Sequence, residues 1–322
     1  MTSLTSPTPV PATPGSLRFV RAYLVTMRPY LLYISGITGI AGLALGGSLA
    51  AADATLLGVV FFVAYGFGQA LTDCFQTDTD ALSSPYRPLV RGEIRRRDVM
   101  AVSLAGLAVS GLVVGLYAPV NFALAGLTAA GLVTYTFFKR RWWGGPLYNA
   151  WIVAVLCLIG YAAATRGALD WSRALGGTLA AVLFGYANFV LTGYFKDVSA
   201  DRQTGYFTLP VVFGWSVAAL VSDVLAVLAL AAAAVVLADS TAPAPWILLA
   251  AAAGAAGFGQ WRLHQVRSDS AAHRAITPGL HSYVLMLAAI VVSRQPGWLF
   301  PLLLYYVAFM LTLRRRPMPE QV

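Results

Sequence analysis

Acidic side chains are scarce, with 13 Asp plus Glu in 322 residues against 22 Lys plus Arg. Only 11% of the chain is charged, where a soluble domain carries roughly 25%, so an ordinary soluble protein is excluded. The two cysteines, Cys74 and Cys157, both lie in apolar stretches, which excludes a disulfide framework. The three histidines, His264, His273 and His281, lack the spacing of a metal set. Lysine is nearly absent, at Lys139 and Lys196 only. Residues 1–16 (MTSLTSPTPVPATPGS) carry no charged side chain, so the basic-then-apolar order of a secretory signal is missing. Their Pro, Ser and Thr content predicts a disordered N-terminal tail over 1–16, followed by a single transmembrane domain over 17–322.

What is present is apolar length. Hydrophobic residues make up 58% of the chain. A helical span needs about 20 mostly apolar residues. Candidates lie near 30–50, 54–76, 98–118, 120–138, 146–165, 173–195, 212–237, 243–262, 277–293 and 297–313. With a cytoplasmic N-terminus, this count puts 19 of the 22 basic residues on one side. Only Arg166, Arg173 and Arg294 fall on the other. That bias predicts an all-α polytopic bundle of nine or ten spans in a bacterial cell membrane, with both termini cytoplasmic. It also accounts for the net charge of +9 as loop charge in contact with membrane lipids, not as a nucleic-acid surface. The helices are expected to surround an apolar cavity open near the cytoplasmic side.

Two segments at span ends gather the acids: Thr72 to Glu93 (TDCFQTDTDALSSPYRPLVRGE) and Lys196 to Gly214 (KDVSADRQTGYFTLPVVFG). Ionisable groups at such places are costly and mark function. Asp73, Gln76 and Asp80 fall at i, i+3 and i+7, which predicts one helix face if the helix continues, with Asp78 turned elsewhere. Asp197 and Asp201, at i and i+4, repel unless a cation intervenes. These five oxygen donors suit Mg²⁺ bridging a diphosphate. Arg87, Lys139, Lys196 and Arg202 are candidates to bind that diphosphate. Tyr135 shares a helical face with Lys139 and can shield a cation with its ring. Asp223, Asn149 and Asn188 read more simply as polar contacts between helices.

Taken together, Pro85-Tyr86-Arg87-Pro88, Tyr135 with Lys139, Asp197 with Asp201, and Gly205 through Thr208-Leu209-Pro210 resemble the UbiA-type superfamily of intramembrane prenyltransferases. The resemblance covers roughly 20–293. That family carries Asn-x-x-x-Asp-x-x-x-Asp after its second span. Here Thr72 and Gln76 replace the first two residues and only Asp80 is retained, so weaker metal affinity is expected at that end. The resemblance implies Mg²⁺-dependent transfer of a prenyl group from a prenyl diphosphate to an aromatic or lipid-like hydrophobic acceptor. Asp80, Asp197, Asp201, Tyr135 and Lys139 would be catalytic. The same superfamily includes terpene cyclases, which need no acceptor, and this is the alternative. A transporter is disfavoured because the acids lie at one mouth, away from the bilayer midplane.

Overall fold

The computed structural model describes residues 10–316, and among them thirteen α-helices and no strand. Helix α1 (Leu17–Met27) precedes α2 (Leu32–Leu45), α3 (Ala51–Asp73) and the short α4 (Thr77–Ser83). Then come α5 (Arg96–Tyr117), α6 (Val120–Lys139), α7 (Gly145–Ala164), α8 (Arg173–Tyr194) and the short α9 (Val198–Thr204). The chain closes with α10 (Leu209–Leu237), α11 (Pro243–Leu263), α12 (Asp269–Arg294) and α13 (Leu299–Arg314). Eight helices are long and apolar enough to cross a membrane; a shorter apolar stretch, Pro29–Leu45, is a further candidate. The other predicted span, 243–262, is the Ala- and Gly-rich α11. The protein is an integral membrane protein.

Part of the expected N-terminal tail is ordered. Ala12 is buried, its N–H donates to the Glu93 carbonyl (2.8 Å), and Ser16 caps α1 by accepting from the Phe19 N–H. The loop after α4 supplies the partner that composition alone does not reveal. The rest of the expected tail, residues 1–9, lies outside the described residues.

Two span ends share one local design. After α3 the chain breaks at Cys74–Gln76 before the seven-residue α4; after α8 it breaks at Phe195–Asp197 before the seven-residue α9. Gln76 and Asp197 occupy equivalent N-cap positions, with φ/ψ of −122°/17° and −113°/7°. Glycine is required downstream of α9. Gly205 closes that helix at φ 75°, and Gly214 interrupts α10 at φ 79°, both in the left-handed region.

The core is built on backbone-close helix pairs. A Cβ on Gly42 of α2 would come 2.0 Å from the Cys157 carbonyl of α7, and one on Gly160 would come 2.4 Å from the Gly39 carbonyl. Neither neighbour can move without shifting a helix. Gly42→Leu is expected to destabilise the bundle by at least the 1–3 kcal/mol typical of overpacking. Gly254→Ala, with open space around it, should leave thermal stability in detergent unchanged. Equal melting temperatures for the two variants would refute this packing account.

Candidate active site

The short helices α4 and α9 meet over the bundle. Thr79 of α4 donates its hydroxyl to Asp201 Oδ1 (3.2 Å), and Thr208 donates to Oδ2 (3.2 Å). From the other side, Asp269 of α12 accepts from the Ser199 backbone N–H at the start of α9 (2.8 Å). These bonds bring the two acidic segments to one mouth, as their sequence positions predict.

The predicted single face for Asp73, Gln76 and Asp80 is not found, because the helix breaks between Asp73 and Thr77. Asp73 closes α3 and is buried. It receives a two-pronged contact from Arg28 Nη2 (2.9 and 3.0 Å) and a bond from Gln69 Nε2 (2.7 Å). Gln76 offers its Oε1 to Lys139 Nζ at 2.9 Å. Asp80 pairs with Arg87, whose Nη1 also lies 3.7 Å from Asp73. Asp78, as expected, turns outward, to Arg140 (2.8 Å) and the Tyr206 hydroxyl (3.1 Å). Lys196 lies 4.0 Å from Asp197. Arg202 is exposed on α9 and joins none of the ion pairs among the described residues.

Lys139 is buried between two rings, 5.5 Å from that of Tyr194 and 5.2 Å from that of Tyr206. The Tyr135 and Tyr194 hydroxyls are 2.9 Å apart. Burial raises the Asp80 carboxyl above its ordinary range despite the Arg87 charge beside it. Burial likewise pushes Asp201 up to about 6, against Lys139 and its two hydroxyl donors. At Asp197 burial is outweighed by Lys196, Lys139 and Arg87, which hold it below the usual range. Burial lowers Lys196.

Arg28 is the residue that sequence reasoning missed, counting it only as an orientation charge. It occupies the left-handed region (φ 53°, ψ 74°) at the end of α1, directly before Pro29. Such a conformation is strained for a non-glycine residue, and the ion pair with Asp73 holds it there. An arginine preceding proline at the head of the first apolar run is the one signal available.

Below the mouth lies an apolar cavity of about 480 Å³ between α3, α5, α6 and α7. Gln69 and Thr72 line it at the end next to Asp73; Val114, Phe122 and Ile159 line the other. Its few polar groups include a chain in which the Tyr186 hydroxyl donates to Tyr65 (3.5 Å) and Tyr65 to Gln69 (3.3 Å). Asn149 also lines the cavity. Asn188 instead bonds Ser222 of α10, and Asp223 bonds His264, both as contacts between helices.

Among the described residues no three His, Cys, Asp or Glu side chains converge on one point. The oxygens come as two facing sets, Gln76 with Asp80 and Asp197 with Asp201. This fits Mg²⁺, which takes one or two carboxylates and completes its octahedron with water and phosphate. The Nε of Arg87 is buried without a partner, a donor available to an anion at the mouth. Gln76→Asp would give the first half the carboxylate that the second half has at Asp197. Divalent-cation binding should tighten about tenfold in this variant, as expected of one added carboxylate ligand. Mn²⁺ titration followed by electron paramagnetic resonance checks this, and unchanged affinity counts against Gln76 as a ligand position.

A model of the UbiA prenyltransferase family matches residues 32–282. The digeranylgeranylglyceryl phosphate synthase of Thermococcus kodakarensis is 31% identical over 222 residues, covering 66% of this chain and 76% of that protein. The enzyme of the same name from Natronomonas pharaonis is 31% identical over 204 residues, covering 61% and 70%. The apo structure of a UbiA homologue from Aeropyrum pernix has a TM-score of 0.70 at 20% identity, covering 82% of this chain and 98% of that one. The structure of a UbiA homologue from Archaeoglobus fulgidus bound to GPP and Mg²⁺ has a TM-score of 0.63 at 18% identity, covering 85% and 99%.

Proposed function

Because this chain belongs to the UbiA prenyltransferase family, we propose that it moves a prenyl group from a prenyl diphosphate to a lipid-like acceptor within the membrane. The observation that carries this reading is the charged mouth, built from α4 and α9, at the head of one apolar cavity. The mouth suits a diphosphate and the cavity suits an isoprenoid tail.

Asp80, Asp197 and Asp201, with Gln76 as a neutral oxygen and Asp73 behind them, are the residues that would hold Mg²⁺. When bound, Mg²⁺ neutralises diphosphate charge and favours its departure. The chain does the rest. Arg87, Lys139 and Lys196 contact the diphosphate as the allylic C–O bond breaks and its electron pair goes to the leaving oxygen. Tyr135 and Tyr194, bonded to each other, present ring faces beside the forming allylic cation. The apolar cavity excludes water, which would otherwise capture that cation. A lone pair of the acceptor hydroxyl then forms the new C–O bond, and its proton passes to the diphosphate released in the previous step. Tyr65, held by Gln69 and Tyr186, is the polar point in the cavity at which such a hydroxyl can dock. The arginine bias supports a mouth and termini on the cytoplasmic side. We assign the chain to a cell membrane, a bacterial one being the expectation stated above; the relatives named here are archaeal.

The deciding experiment supplies geranylgeranyl diphosphate and Mg²⁺ to the protein in nanodiscs, with and without a glyceryl phosphate lipid, and follows diphosphate release and lipid mass. A prenylated adduct that requires the acceptor supports transfer. A cyclic hydrocarbon formed without acceptor would overturn it in favour of a cyclase. Asp197→Ala should slow diphosphate release by at least about a hundredfold, the scale of losing a principal electrostatic contact, in a protein that still folds but melts at a lower temperature because Lys196 loses its counter-charge.

The pH dependence follows from Asp201. Its folded carboxyl keeps a proton up to about 6, above its unfolded value, so metal-free stability rises as pH falls through that value. A cation must displace the proton. The Mg²⁺ concentration for half-maximal thermal stabilisation should therefore rise about tenfold per pH unit below about 6 and level off above it. A flat profile across that range would contradict the assignment of Asp201.

A further inference from the structure

The face that carries α9 has a second polar recess. The end of α11, the start of α12 and the end of α13 bound a groove of about 470 Å³, lined by Phe258, Arg262, His273, Arg274, Thr277 and Arg316. It shares the face of the mouth, since Asp269, one turn before His273, is bonded to Ser199 of α9. Among the described residues no carboxylate lines the groove. Among the described residues, the nearby acids Asp269 and Asp223 are engaged elsewhere, Asp269 with α9 and Asp223 with His264 at 2.7 Å. Arg262 and Arg274 enter none of the ion pairs among the described residues. The Nε of Arg262 is buried and has no hydrogen-bond partner.

The walls are held at a fixed spacing. A Cβ on Gly259, one turn before Arg262, would lie 3.2 Å from the Ala275 carbonyl, so α11 and α12 are in close contact beside the groove. The Arg262 guanidinium lies 5.1 Å from the Phe258 ring and 5.7 Å from the Trp261 ring. Both rings are half exposed, at 46% and 55%, at the level where exposed aromatics mark the membrane interface. Arg262 and Arg274, without an ion-pair partner among the described residues, repel each other until an anion enters between them. Basic recesses between helices at this face suit anionic headgroups.

We propose that this groove binds the phosphate of an anionic phospholipid headgroup. Arg262 and Arg274 fork onto the phosphate oxygens. Thr277 bonds the headgroup, and Phe258 and Trp261 lie against its acyl side. A free phosphate ion shares that chemistry, and the test separates the two sources. The site does not depend on the reaction proposed above.

The full chain, purified in neutral detergent, is offered phosphatidylglycerol or phosphatidylcholine with the same acyl chains, and retained lipid is counted by native mass spectrometry. Inorganic phosphate at equal concentration is the third arm. The expected result is selective retention of phosphatidylglycerol that inorganic phosphate does not displace. Arg262→Gln/Arg274→Gln should weaken that retention roughly thirtyfold, and Arg274→Gln alone roughly fivefold. The single variant alters an exposed residue, so it keeps the test open if the double variant folds poorly. Diphosphate release in phosphatidylcholine nanodiscs should stay at the wild-type level in both. Equal retention of the two lipids, or undiminished retention in the variants, overturns the proposal. Displacement by inorganic phosphate overturns the lipid assignment in favour of a free-anion site.

Discussion

The structure depends on charge neutrality at the top of an apolar bundle. Arg28, Arg87, Lys139 and Lys196 stand against Asp73, Asp80, Asp197 and Asp201, four cations and four anions gathered at one mouth. A buried charge costs several kcal/mol unless paired, so no member can be spared while the site holds only itself. Substrate changes that balance. On the proposed function, a diphosphate would draw Arg87, Lys139 and Lys196 toward its oxygens and leave the carboxylates short of counter-charge. A divalent cation then becomes the partner they need. On that reading, metal and substrate binding would be coupled through shared counter-ions, and neither would have to be strong alone.

The same constraint explains the unequal halves. α3 with α4 and α8 with α9 repeat one design, a span, a three-residue break and a seven-residue helix, with Gln76 equivalent to Asp197 and Asp80 to Asp201. Only one half carries a carboxylate at the cap. The neutral Gln76 still meets Lys139 with an oxygen, so the buried ammonium keeps an acceptor without a fifth negative charge at the mouth. The Asp73–Arg28 pair lies behind Asp80 and keeps the first segment anchored. Gln69 extends that anchor into the cavity through Tyr65 and Tyr186, so the polar groups of the cavity and those of the mouth belong to one network.

Spans were legible because about 20 apolar residues between arginine-bearing loops permit little else in a membrane. The site was legible as a set of motifs, since acids are so rare that their clustering stands out. Its geometry was not. A continuous helix through Asp73, Gln76 and Asp80 was the simplest extension of the i, i+3, i+7 pattern, and nothing local in Cys74 or Phe75 announces a break. The parallel break before Asp197 shows that the interruption belongs to the architecture, which sequence spacing alone does not report. Arg28 was hidden for another reason. Its role depends on a left-handed turn that brings it onto a carboxylate 45 residues away, and one arginine among twenty carries no mark of that. Ala12 likewise owes its order to a distant backbone carbonyl at Glu93.

Mouth and cavity divide the energetic work. Along α3, Val60 and Thr72 both line the cavity, and twelve residues of helix correspond to a depth of about 18 Å. An isoprenoid tail buried along that depth is held equally in the ground state and the transition state. Such uniform binding raises occupancy without speeding bond cleavage. Rate has to come from groups whose interaction grows as charge separates, and those are confined to the mouth. On the proposed function, changes near Val114, Phe122 or Ile159 at the far end should therefore select among tail lengths, whereas changes among the paired charges should alter turnover itself. Because an apolar wall discriminates a missing or extra methylene by only about 1–3 kcal/mol, one scaffold can accept a range of tails while the chemistry at its mouth stays fixed.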